Sequence, residues 1–275
     1  MIEEDTTTST DLIEELSEKQ VADEPDESAD PAAWVESKIP PDLRERFEFI
    51  SYRSAIAILG DAHRTEFGEI LQALRDFRIT TDIIRTAGGN ESEIPKLISR
   101  TLRPLGWHET AIQGDLVIRK IWREAVGVGR KGQPLFEKRE ARLTREKFLD
   151  GHKVDYVKGK VAFDLEWNSK NQTFDRDLYA FNAFAQCGVV DVGVLLTRSA
   201  SLDAVFRGVG PALRKDGSVE LKKNGQPPAT HEKYGASTTW MGKLLYRLNA
   251  GRNGGCPVLA VGITPACVID WKATP

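Results

Sequence analysis

The sequence predicts an α/β fold, and three observations carry that reading. From 161 to 168 the side chains alternate: Val161, Phe163, Leu165 and Trp167 share one face, Ala162, Asp164, Glu166 and Asn168 the other. Thr173 to Cys187 then places Phe174, Leu178, Phe181 and Ala185 at helical spacing, with Gly188 as the stop. Residues 189–196, VVDVGVLL, follow as a buried strand. A hairpin that leads through a helix to a parallel strand is a compact α/β unit.

The other elements read as follows. Residues 1–40 are rich in Thr, Ser, Glu and Asp and are expected to be a disordered acidic tail; Leu12, Ile13 and Leu16 mark at most a transient helix. Leu43 to Leu74 has helical apolar spacing, and with a further helix at about 93–103 it makes 41–105 a mainly helical portion. Gly88-Gly89-Asn90 breaks the chain between them. Residues 119–147 are read as a basic loop and helix face. Residues 207–235, rich in Gly, Pro and Lys, are an inserted loop or small hairpin, and 237–249 is a helix capped by Ser237. An apolar strand over 257–263 completes a single domain spanning 41–275, whose catalytic core is 106–275.

The net charge of −3 hides a division. Residues 1–40 hold 13 Asp/Glu against Lys19 and Lys38, so the tail carries −11 and the body +8. Such asymmetry points to a nucleic-acid or membrane partner, or to an electrostatic tail. No apolar run is long enough for a membrane span, and the N-terminus lacks a secretory pattern. Cys187, Cys256 and Cys267 show no C-x-x-C spacing, and His63, His108, His152 and His231 are scattered. A structural zinc site is therefore not expected, and the cysteines read as reduced, buried thiols of a cytoplasmic protein. The strongest positive stretch, 119–147, nets +6 and includes Arg130 and Lys131 among three glycines. It is either a solvated surface or a phosphate-contacting one.

The alternation places Asp164 and Glu166 side by side on one strand, where like charges repel and Asp is disfavoured. A divalent cation between them is the simplest explanation. A two-residue loop at Lys158-Gly159 sets Asp155 opposite Ala162, on the same face; a three-residue loop turns it away unless a bulge restores the parity. Three carboxylates converging on one site is Mg²⁺ chemistry, with water and a phosphate oxygen completing the shell.

At these residues a resemblance emerges. VDYVKGKVAFDLEWNSKN, TFDRDLYAFNAF and GVVDVGVLLTRS, with GWHE at 106–109, YGASTTWMGKLLYRL at 234–248 and GGCPVLAVGIT at 254–264, resemble the BglII/BstYI-type family of type II restriction endonucleases. That family lies within the PD-(D/E)xK nuclease superfamily. The resemblance runs from about residue 88 to 264 and implies a mixed sheet flanked by helices, a homodimer on double-stranded DNA, and Mg²⁺-dependent phosphodiester hydrolysis. The first motif Asp falls on Asp155, the D/E position on Asp164, and the Lys position on Glu166. Glu166 is thereby a metal ligand or general base, and Lys170 a source of positive charge.

Asn168, Ser169, Lys170, Asn171 and Gln172 leave the active strand as short polar groups suited to base edges or phosphates, or form an ordinary polar turn. Arg176 lies one turn into the next helix, within reach of a phosphate. Glu93 is either a fourth active-site acid or a helix N-terminal charge. Two other enzyme roles, repair and mobile-element cleavage, fit the same superfamily. A DNA-binding module without catalysis and a protein scaffold are the readings from other classes.

Overall fold

The computed structural model describes residues 19–86, 93–235 and 237–272. The expected Gly88–Asn90 break and the Leu12–Leu16 pattern lie outside these residues. In chain order the helices are α1 (Ala32–Lys38), α2 (Pro41–Arg44), α3 (Ala55–Ala62), α4 (Arg64–Asp76), α5 (Thr81–Arg85), α6 (Glu93–Leu102), α7 (Thr173–Gln186), α8 (Asp203–Gly208) and α9 (Met241–Asn249). The strands are β1 (Phe47–Tyr52), β2 (His108–Val128), β3 (Pro134–Lys158), β4 (Val161–Glu166), β5 (Val192–Arg198) and β6 (Val258–Ile263).

The strands form one sheet in the order β1-β6-β5-β4-β3-β2. β4, β5 and β6 run parallel, while β1 is antiparallel to β6 and β3 to β4. The sheet is therefore mixed, as expected. The described residues form two compact units, one made of those up to Glu109 together with those from Val154 onward, the other Thr110–Lys153.

In the larger unit one sheet face carries Val161, Phe163, Leu165, Val194, Leu196, Val261 and Ile263 into a core shared with the N-terminal helices. α4 meets that core with Phe67, Ile70, Leu71 and Leu74, and α6 with Ile94, Ile98 and Leu102, each at helical spacing. α7 packs against β4 and β5 on the other side. Gly193 admits it, since a Cβ there would collide with the Phe181 ring.

Several elements differ from the sequence reading. The stretch 43–74 is not helical throughout, because Phe47–Tyr52 pairs with the apolar run Val258–Ile263 as an edge strand. Residues 30–40, expected to be disordered, include α1, whose Val35 and the following Ile39 are buried in the core. These apolar anchors, with the Asp30 N–H donating to the Ser51 carbonyl at 2.7 Å, dock the segment. The helix at 237–249 begins only at Met241: Thr239 N–H donates to the Ser169 carbonyl at 2.9 Å, which keeps the preceding residues extended. The inserted segment after α8 is pinned by small bridges, Pro211 to Ala229 and Leu213 to Val219, with Ala212 and Thr230 buried. Cys187 is exposed, whereas Cys256 and Cys267 are buried.

The second unit corrects the 119–147 reading. It is a long two-stranded ribbon of β2 and β3, with no helix. Cross-strand pairs Arg119–Glu140 at 2.7 Å and Arg139–Glu124 at 2.8 Å bind its strands. Arg130 and Lys131 sit at the exposed tip, where Gly129 N–H donates to the Gln133 carbonyl at 2.7 Å. Trp122 and Phe136 stay about half exposed, at 45% and 56%.

Candidate active site

The site is built on the β3–β4 hairpin. Tyr156, Val157 and Lys158 pair with Phe163, Ala162 and Val161, so the two-residue loop is Gly159-Lys160, not Lys158-Gly159. Gly159 has φ +55°, a conformation that the first position of a tight hairpin loop demands and glycine tolerates. Lys158 belongs to the strand and donates to Glu69 at 2.6 Å, which also accepts the Trp107 indole N–H at 2.7 Å. This register is two steps from the expected one, so side-chain parity is unchanged. Asp155 still joins the face of Asp164 and Glu166, now directly beside Asp164: its backbone N–H donates to the Asp164 carboxylate at 2.6 Å.

The sequence reading missed a fourth acid. Asp177 on α7 is buried among Phe174, Leu178 and Phe181, on the helix face that packs against β4. Its carboxylate and that of Asp164 have oxygens within 4.8 Å of each other. The signal was present in the sequence, since Asp177 lies three residues after Phe174 and four before Phe181, within the apolar stripe.

Asp164 is 4% exposed and Glu166 8%. Burial raises the pKa of Asp155, and the Asp177 charge adds to it, against a backbone hydrogen bond from Leu165 and the Arg103 charge. Asp164 is pushed well up, by burial first and then by Asp177 and Asp155. Glu166 is pushed up to about 8, again by burial and then Asp177, with a Ser169 hydrogen bond and Arg176 in opposition. Asp164 Oδ2 and Glu166 Oε2 are buried and have no hydrogen-bond partner among the described residues. Two unpartnered carboxylate oxygens in a negative, buried pocket fit a hard divalent cation, which takes oxygen ligands.

The remaining predicted residues are dispersed. Asn168 is exposed and its side-chain amide donates to the Lys233 carbonyl at 3.0 Å. Ser169 is partly buried and hydrogen-bonds Glu166. Lys170 is exposed. Asn171 is buried, donating to the Ser237 carbonyl at 3.0 Å and accepting from Arg247 at 2.9 Å, so it braces the fold and presents no group to a base. Gln172 is exposed at the start of α7. The Arg176 guanidinium is 61% exposed and lies 3.4 Å from Asp177. Glu93 is held at the exposed first turn of α6 by Lys96 at 2.8 Å and Arg100 at 3.5 Å; these partners lower its pKa and suit a helix-terminus role.

No helix among the described residues is long and apolar enough to cross a membrane. No curated protein matches the chain. The sequence profile described as restriction endonuclease BglII/BglIII matches residues 47–263, from the first residue of β1 to the last of β6. That span holds the whole mixed sheet, helices α3 to α9 and the acids Asp155, Asp164, Glu166 and Asp177, and on this match the chain belongs to the BglII/BglIII restriction endonuclease family.

Proposed function

We propose that the protein is a type II restriction endonuclease: a Mg²⁺-dependent enzyme that hydrolyses phosphodiester bonds at a specific sequence in double-stranded DNA. The observation that carries the reading is the pair of buried carboxylates, Asp164 and Glu166, on the β3–β4 hairpin beside Asp155, inside the family span, each with one oxygen left unpartnered among the described residues. Asp155 and Asp164 would hold the metal. When bound, a divalent cation polarises the phosphate and acidifies a water molecule. Glu166, on the same strand face, would orient that water and accept its proton.

Around the acids, exposed cations take the substrate's negative charge. Arg176 and Lys170 flank the exit of β4 and serve phosphate oxygens. Asn168 and Ser169 lie on the same exit and are assigned to DNA contact. The ribbon of 110–153, with Arg130 and Lys131 at its tip, is assigned to the phosphate backbone. Two symmetric cuts need two active sites, so the functional unit is a homodimer. The enzyme would work in the cytoplasm, where its substrate lies.

The test is digestion of a sequenced plasmid with Mg²⁺, with the fragment ends mapped. Discrete fragments sharing one end sequence support the reading. Uniform degradation or structure-selective nicking would transfer the site to a repair or mobile-element nuclease, and no cleavage with retained DNA binding would make the protein a non-catalytic module.

A further inference from the structure

We infer that Asp177 is a fourth acidic ligand of the metal centre, supplied by α7 from across the site and not by the hairpin. The inference rests on the reading of the hairpin acids as a divalent-cation site, and it extends that site to a residue outside the hairpin motif.

Three independent features meet at Asp177. The first is its position: the side chain is buried at 1% exposure on the apolar face of α7, between Phe174, Leu178 and Phe181. An aspartate there costs the fold stability that an apolar residue would supply. The second is proximity, because its carboxylate comes within 4.8 Å of that of Asp164, a spacing that one cation bridges. The third is the state of its neighbours. Asp164 Oδ2 and Glu166 Oε2 lie on the strand face that α7 covers, both buried and without a hydrogen-bond partner among the described residues. α7 sets another acceptor, Asp177, beside them, and its Arg176 donates to Asp177 Oδ1 at 3.4 Å. Arg176, 61% exposed, shares its charge with solvent and is not a buried counterion.

The arrangement grips a cation from two sides, with Asp155 and Asp164 on the sheet and Asp177 on the helix. It also couples metal binding to the docking of α7, whose Phe181 ring lies over Gly193. Removing the carboxylate then has two effects of opposite sign. The metal-free protein loses a buried like charge, while the metal-bound protein loses a ligand.

The test compares full-length wild type, Asp177→Asn and Asp164→Asn, without DNA, in metal-free buffer and during Mn²⁺ titration by calorimetry and thermal shift. For Asp177→Asn the expected result is a metal-free Tm equal to or above wild type together with Mn²⁺ affinity weakened by about tenfold or more. Wild-type Mn²⁺ affinity in this variant would overturn the inference and leave the hairpin site standing. No Mn²⁺ binding by wild type would overturn the metal reading itself. A second measurement needs no variant: in Mn²⁺-soaked wild-type crystals the anomalous peak should touch an Asp177 oxygen. A peak held by Asp155 and Asp164 with Asp177 turned away would contradict the assignment.

Discussion

The backbone N–H of Asp155 donates to the carboxylate of Asp164 at 2.6 Å, across the β3–β4 hairpin. Leu165 returns a backbone hydrogen bond to the Asp155 carboxylate. Each acid is thus held by the main chain of the opposite strand, and the hairpin register orients the pair. Such main-chain support fixes side chains without committing another residue to the task.

The buried acids make metal-free stability fall as pH rises. Glu166 titrates near 4.5 when ordinary and near 8 when folded. Between those values the folded chain binds the proton that the unfolded chain has released, so stability is full below about 4.5 and is lost as pH rises through 8. In chelator, Glu166→Gln should therefore melt above wild type at pH 8.5, by ~2–4 °C for each kcal/mol relieved, and the gap should close near pH 4. A gap independent of pH would mean that Glu166 ionises freely in the fold.

Arg247 is a buried brace behind the site. It donates to the Asn171 side chain at 2.9 Å, to Asp175 at 2.8 Å and to the Lys243 carbonyl at 2.9 Å. Arg247→Met should cost about 2–3 kcal/mol in denaturant unfolding. This is below the ~3–5 of a fully buried pair, because Asp175 is partly exposed and keeps Arg252. A loss under ~1 kcal/mol would show that Asn171 and Asp175 find other partners.

Gly193 gives α7 its seat on the sheet. Gly193→Ala drives a methyl group into the Phe181 ring, and overpacking of this kind costs about 1–3 kcal/mol. Because α7 carries Asp177, the same variant should weaken Mn²⁺ affinity. Unchanged Tm and unchanged affinity together would show that the helix shifts without consequence.

On the ribbon, Arg123, Lys138 and Arg142 are exposed and have no ion pair among the described residues, unlike Arg119 and Arg139. Changing the three to Ala should weaken DNA binding in Ca²⁺ and flatten its salt dependence, by ~0.9 in log–log slope for each phosphate that is no longer neutralised. An unchanged slope would remove the ribbon from the DNA interface.

The acid face was legible in the sequence because strand parity survives a register error. The loop lies at Gly159-Lys160, two steps from the expected pairing, and Asp155 keeps its face. Asp177 is hidden because Phe174, Leu178 and Phe181 define the helical pattern by themselves, and that pattern assigns no role to a polar residue among them. The ribbon escaped because both of its faces are solvent-exposed, so burial imposes no clean alternation on 119–147. β1 escaped because its partner, Val258–Ile263, lies about two hundred residues away. Asn171 looked like a base reader by residue type, and only tertiary contact with Arg247 reveals it as a brace.

The most direct measurement is plasmid cleavage by Asp164→Asn, an isosteric change that keeps an acceptor for the Asp155 N–H. With Mg²⁺ the wild type should yield discrete fragments; the variant should lose at least ~10³-fold in rate while its DNA affinity in Ca²⁺ stays within a few-fold. Cleavage by Asp164→Asn at the wild-type rate would contradict the assignment of the chemistry to the hairpin acids.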